Sequence, residues 1–129
     1  MAGAGNNPRI IFVMAGNSDE AAKIARSLVE ERLAACVNIV GPVRSFYRWR
    51  GAIEDEQEYL LVIKSRDQLF PKLERRVREQ HSYEVPEIVA VAIARGSKPY
   101  LDWLIDSTAG NSRASRAPRS SRRRDDTAI

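Results

Sequence analysis

Cysteine and histidine carry most metal and nucleophilic chemistry in proteins, and this 129-residue chain has one of each, Cys36 and His81. Tight transition-metal sites converge three or four ligands. One thiol and one imidazole fall short of that unless subunits share a site or carboxylates such as Glu84 and Glu87 join them. Each residue also has a plain structural reading. Free cysteine is usually a small buried strand residue, and a histidine at a helix C-terminus is favoured by the helix dipole. The structural readings are the stronger expectation for both. No Ser/His/Asp or Cys/His set stands at a catalytic spacing. Gly41-Pro42 and Gly51 belong to turns, so no glycine loop is left to cradle a phosphate. With one histidine, acid–base catalysis would rest on carboxylates, and none is singled out. The expectation is a protein that is not an enzyme.

The elements that position these residues are legible from periodicity. Residues 9–15 contain Ile10-Ile11-Phe12-Val13-Met14, a short β-branched run suited to a strand buried on both faces. Asn17-Ser18-Asp19-Glu20 starts a helix, with Glu20 three residues after a capping Asn17. Ala21, Ile24, Ala25, Leu28 and Val29 form its inner stripe, and it should run to about Leu33. From residue 35 the period becomes two: Ala35, Val37 and Ile39 point one way, Cys36, Asn38 and Val40 the other. Gly41-Pro42 predicts a bulge, because proline donates nothing to a ladder. The strand resumes over residues 43–49, turns at Arg50-Gly51, and returns over residues 52–65. Asp67 suits the N-cap of a second helix with Leu69, Phe70, Leu73 and Val77 inside and Pro71 in its first turn. Gln80-His81-Ser82 ends that helix. Val85-Pro86 is extended, residues 87–94 form the last strand, and Pro99 opens a third helix bearing Tyr100, Leu101, Trp103, Leu104 and Ile105. The order β-α-β-β-α-β plus a C-terminal helix predicts an α+β, ferredoxin-like sandwich, an antiparallel sheet with helices on one face.

The central hairpin is too long for such a domain. Each arm approaches about 45 Å at about 3.3 Å per residue, whereas a domain of this size has a radius of gyration of about 13–14 Å. Its overhang, residues 43–58, carries Val43, Phe46, Tyr47, Trp49 and Ile53, with Tyr59 next to it. In water these would present open edges and apolar surface. Arg44, Arg48, Arg50, Glu54, Asp55, Glu56 and Glu58 wet it only in part, and an isolated two-stranded ribbon is marginal in water. Burial against further copies of the chain in a closed ring is the physical resolution. Subunit burial added to each small core predicts high thermal stability.

Charge is segregated. The chain carries +4 overall, and residues 109–129 hold six arginines against two aspartates, so the tail accounts for all of it. Those residues have too little apolar side chain to repay ordering entropy, and an Arg-rich disordered tail is expected there. Residues 1–8 are read as a flexible arm and residues 9–108 as the domain. The tail could touch an anionic polymer or membrane surface through charge alone; a merely solubilising tail is preferred, and nucleic-acid binding is not expected. No apolar run approaches the roughly 20 residues that span a bilayer. Residues 1–9 do not read as a secretory leader and one cysteine allows no internal disulfide, so a cytoplasmic location is expected.

Four stretches carry a family resemblance: Glu31-Arg32-Leu33-Ala34-Ala35-Cys36-Val37-Asn38-Ile39, Tyr47-Arg48-Trp49-Arg50-Gly51, Tyr83-Glu84-Val85-Pro86-Glu87-Ile88 and Tyr100-Leu101-Asp102-Trp103-Leu104. In order and spacing the chain resembles the CutA family, linked to tolerance of copper and other divalent cations, from about Arg9 to Thr108. The resemblance implies a PII-like homotrimer whose hairpins reach neighbouring subunits, with no established catalytic activity. Copper-binding members carry a cysteine where Val13 stands and paired histidines where Gln80-His81 stand, and Ser82 replaces their proline. Of that ligand set only His81 is present, so copper or another divalent cation should bind weakly at most, with no required cofactor. Trp49, Lys64, Tyr83, Glu87, Tyr100 and Trp103 lie in or near the matched stretches. They would line an inter-subunit cleft for a small ligand or an unidentified protein partner, or serve as ordinary interface anchors.

Overall fold

The computed structural model describes residues 7–110. The elements follow the expected order: β1 (Pro8–Ala15), α1 (Ser18–Glu30), β2 (Cys36–Trp49), β3 (Ala52–Arg66), a 3-10 turn (Asp67–Leu69), α2 (Phe70–Gln80), β4 (Ile88–Ala92) and α3 (Lys98–Ser107). The strands form one antiparallel sheet in the order β2-β3-β1-β4. The chain is α+β with a ferredoxin-like arrangement.

Alternation along β1 decides which face is core. Ile11, Val13 and Ala15 are fully buried with Leu61 and Ile63 of β3, under Ala21, Ile24 and Leu28 of α1 and Leu73 and Val77 of α2. The opposite row, Ile10, Phe12 and Met14, is only half-buried. The expectation of a strand buried on both faces is therefore corrected: the two helices cover one face of the sheet. Facing the other way, Val40, Val89 and Val91 are exposed. α3 is tied to the sheet by Arg66, whose Nε donates to Thr108 Oγ1 (2.8 Å) and whose Nη2 donates to Thr108 O (2.7 Å). Leu104 is its buried anchor.

Local chemistry sets the boundaries. Asn17 caps α1 as expected, its side chain accepting from Glu20 N at 2.8 Å. The helix stops at Glu30, three residues short of the expected end. Arg32 takes a left-handed φ of 61°, Leu33 N bonds Leu28 O (2.9 Å) and Arg32 N bonds Val29 O (3.1 Å). That is a Schellman ending, usually made by glycine. Asp67 does not cap the second helix. Its carboxylate lies 3.4 Å from Arg9 Nε and its N–H donates to Asn7 O, so Arg9 has taken the group that would have capped. Pro8 thus pairs with Arg66 at the start of β1, an inner strand of the sheet, and Asn7 O accepts the Asp67 N–H; residues 1–6 of the expected arm (1–8) and residues 111–129 of the expected tail (109–129) lie outside the described residues.

β2 and β3 pair along their whole length, from Cys36 opposite Lys64 to Trp49 opposite Ala52, with one irregularity between Val40 and Val43 at Gly41-Pro42. The tip is Arg50-Gly51, φ 52° and 85°, the two left-handed residues that a tight hairpin turn needs. Gly51 adopts this at no steric cost.

Candidate functional site

Where the hairpin leaves the sheet, a cavity of about 720 Å³ opens between β1, the hairpin and the 83–87 segment; its lining includes Met14, Tyr47, Trp49, Glu58, Tyr83 and Glu87. Hydrogen bonds hold the segment against the sheet. The His81 side chain is fully buried (0% exposed). Its Nδ1 accepts from Tyr83 N (3.1 Å), so in the neutral ring Nε2 carries the proton and donates to Met14 O (2.6 Å). Ser82 N donates to Glu20 Oε2 (3.1 Å), which also lies 3.3 Å from His81 Nδ1. Tyr83 then crosses the end of β1 over Gly16, where an added Cβ would stand 3.1 Å from its Oη, and donates its O–H to Glu58 Oε2 at 2.7 Å.

Glu58 is the unexpected member. Read as one of the charges that wet the hairpin, it is instead 6% exposed. Burial, and then the hydrogen bond to Glu58, push the Tyr83 hydroxyl well above its ordinary pKa. Burial and the negative field of Glu56, Glu58 and Glu54 push Tyr47 the same way. Arg50 is the cation of the lining. Its Nη2 is 2.7 Å from Glu84 Oε1 and its guanidinium carbon 5.2 Å from the Trp49 ring centre, both within reach of favourable contact.

Of the expected cleft residues, Trp49, Tyr83 and Glu87 line this cavity, and Lys64, Tyr100 and Trp103 do not. Lys64 lies across from Cys36, with its Nζ donating to Asn38 Oδ1. Tyr100 and Trp103 pack together on α3, ring centres 5.6 Å apart. The two soft ligand candidates are kept apart within the chain. Cys36 is level with Ile10 through Lys64, while His81 is bonded at Met14, four residues and about 13 Å along β1. Cys36 Sγ lies 3.8 Å from Asn38 Oδ1. Among the described residues no three His, Cys, Asp or Glu side chains gather as a metal site. None of the described helices is long and apolar enough to cross a membrane.

Comparison with known proteins gives a consistent answer. The family model "CutA1 divalent ion tolerance protein" matches residues 9–107. The divalent-cation tolerance protein CutA of Thermus thermophilus is 50% identical over 99 residues, 77% of this chain and 96% of that one. Its solved structure superposes with a TM-score of 0.77 at 48% identity, covering 78% of this chain and 98% of that chain. The chloroplastic CutA of Arabidopsis thaliana is 43% identical over 99 residues, 77% of this chain and 54% of that protein. The chain thus spans nearly all of its bacterial relative and about half of the longer plant one.

Proposed function

The chain belongs to the CutA1 divalent ion tolerance family, and from that premise we propose that it works as a homotrimer that binds divalent cations weakly at most and has no catalytic role. One observation carries the trimer: Phe46 and Ile53, on one face of the hairpin overhang, are each 62% exposed. A ribbon with large apolar side chains beyond the reach of its own helices needs further copies to cover it. The sheet face bearing Val40, Val89 and Val91 adds to the same demand. Three copies close such edges in a ring, as a dimer need not. Multi-angle light scattering on the full chain is expected to give three times 14.5 kDa; a particle of one chain mass at micromolar concentration rejects the proposal.

Weak metal binding is supported by the separation of Cys36 from His81 and by the engagement of both His81 ring nitrogens. A copper ligand there would have to displace the Met14 or Tyr83 hydrogen bond. Calorimetric titration with Cu²⁺ should give at most a weak isotherm, and tight one-to-one binding would overturn this part. The single cysteine suits a reducing compartment, and we place the protein in the cytoplasm, which fractionation of cells tests.

A second reading is favoured by the cavity itself: a PII-like regulator that takes a small ligand beside Trp49, Tyr83 and Glu87, in a cleft closed by a neighbouring subunit. Its volume lies in the range of small-molecule sites.

A further inference from the structure

We infer that the cavity beneath the hairpin is a site for an organic cation, an ammonium or guanidinium group carried on an apolar body. This deepens the small-ligand reading of the cleft and rests on it.

The charge of the lining sets the sign. Glu58, Glu84 and Glu87 face one cation, Arg50, which is already paired with Glu84. An anionic ligand would therefore meet uncompensated carboxylates. Glu58 sharpens the point. A carboxylate 6% exposed normally has a cationic partner, because removing an ion from water is costly unless it is paired. Here its partner is a neutral phenol, the Tyr83 hydroxyl on Oε2. Oε1 accepts no hydrogen bond from any described residue. No described side-chain oxygen is both buried and unpartnered, so Oε1 is the part of this carboxylate that solvent still reaches, at the wall of the cavity that Glu58 lines, and a ligand's donor can replace that solvent.

The walls set the class of cation. Tyr47, Trp49 and Tyr83 offer ring faces, which attract ammonium and guanidinium groups and pack against an apolar body. The Arg50 guanidinium over Trp49 is an instance within the molecule. A bare divalent ion is a poor fit. Hard cations want six or more oxygens, or an octahedral shell, and no cluster of three acidic, thiol or imidazole groups exists among the described residues.

The test compares three probes of one shape and different charge on the full chain: phenethylamine, 2-phenylethanol and phenylacetate. Calorimetry gives affinity, and tryptophan fluorescence of a Trp103→Phe protein, in which Trp49 is the remaining indole, reports occupancy. Phenethylamine should bind at least about tenfold more tightly than the alcohol, with phenylacetate weakest. Glu58→Gln keeps the shape and still accepts from Tyr83; it should bring the amine down to the affinity of the alcohol and leave the alcohol unchanged. The ranking of the three probes on the unaltered protein stands without any variant. Equal binding of amine and alcohol, tightest binding of phenylacetate, or an amine affinity unmoved by Glu58→Gln overturns the cation assignment while leaving the ligand cleft standing. No binding of any probe at millimolar concentration overturns both, and neither result bears on the number of subunits.

Discussion

The two ends of β3 make an instructive contrast. From Leu61 to Ser65 every second residue is buried on the helix-covered face, and Leu61 and Ile63 are fully enclosed. From Ala52 to Gln57 the same strand is exposed except for the half-buried Glu54, although it remains fully paired with β2. Backbone pairing is continuous; side-chain burial is not. The helix-covered half is self-sufficient, whereas the overhanging half is complete in its hydrogen bonds and incomplete in its packing. Ladder formation settles the length of a hairpin, but only a second layer makes it stable in water.

Substitutions should separate the halves. Leu61→Ala leaves a cavity in the shared core and should cost about 2–5 kcal/mol in chemical denaturation at every protein concentration. A loss under about 1 kcal/mol would mean that this half is not the closed core. Tyr83→Phe deprives the buried Glu58 of its hydrogen bond and should cost about 1–3 kcal/mol. Phe46→Ala should act chiefly on association. At low concentration it should lower the mass seen in sedimentation, and it should make the melting temperature more dependent on protein concentration. If Phe46→Ala destabilised equally at all concentrations, the two halves would not differ as described. The Arg44–Asp55 pair, 2.8 Å apart on the exposed part of the hairpin, should matter least. Asp55→Asn is expected to shift melting less than any of the other three, since exposed ion pairs contribute little.

The pH dependence gives a further contrast. The Tyr83 hydroxyl has its folded pKa raised above the ordinary value of 10.0, first by burial and then by Glu58. The folded state therefore holds that proton more tightly than the unfolded chain. This contribution to stability is whole below pH 10 and is lost as pH climbs above it. Stability should fall on the alkaline side, and Tyr83→Phe should flatten that part of the profile. Ultraviolet titration of the tyrosines, compared with the Tyr83→Phe protein, should assign to Tyr83 an ionisation above the ordinary phenol range; ionisation of Tyr83 at the ordinary value would contradict the buried contact with Glu58.

Much of this architecture was legible from residue pattern because its signals are local. Asn17 with Glu20, the Gly41-Pro42 interruption and the Arg50-Gly51 tip each act within a few residues. What escaped the pattern depended on partners distant in sequence. Glu58 looks like solvent-facing charge until Tyr83 arrives from 25 residues away. Asp67 has a capping side chain, but Arg9 claims it. The left-handed Arg32 is an uncommon choice for a helix ending, and its Nη1 reaches Ser107 O at 3.1 Å, an attachment only the folded chain reveals. Trp49, Tyr83 and Glu87 line one cavity of this chain. Lys64, Tyr100 and Trp103 were grouped with them through family resemblance, and one chain does not bring them there. One hint of Glu58 was available: alternation puts it in the row Glu58, Leu60, Val62 and Lys64, the same face as Met14, so a carboxylate was interrupting an apolar stripe.

Amide hydrogen exchange across residues 43–58 of the full chain tests the sheltering of the overhang most directly. The account predicts protection there close to that of Leu61 and Ile63, falling as the protein is diluted, because sister chains supply the missing layer. Hairpin amides that exchange within seconds at high protein concentration, beside a slowly exchanging core, would contradict it.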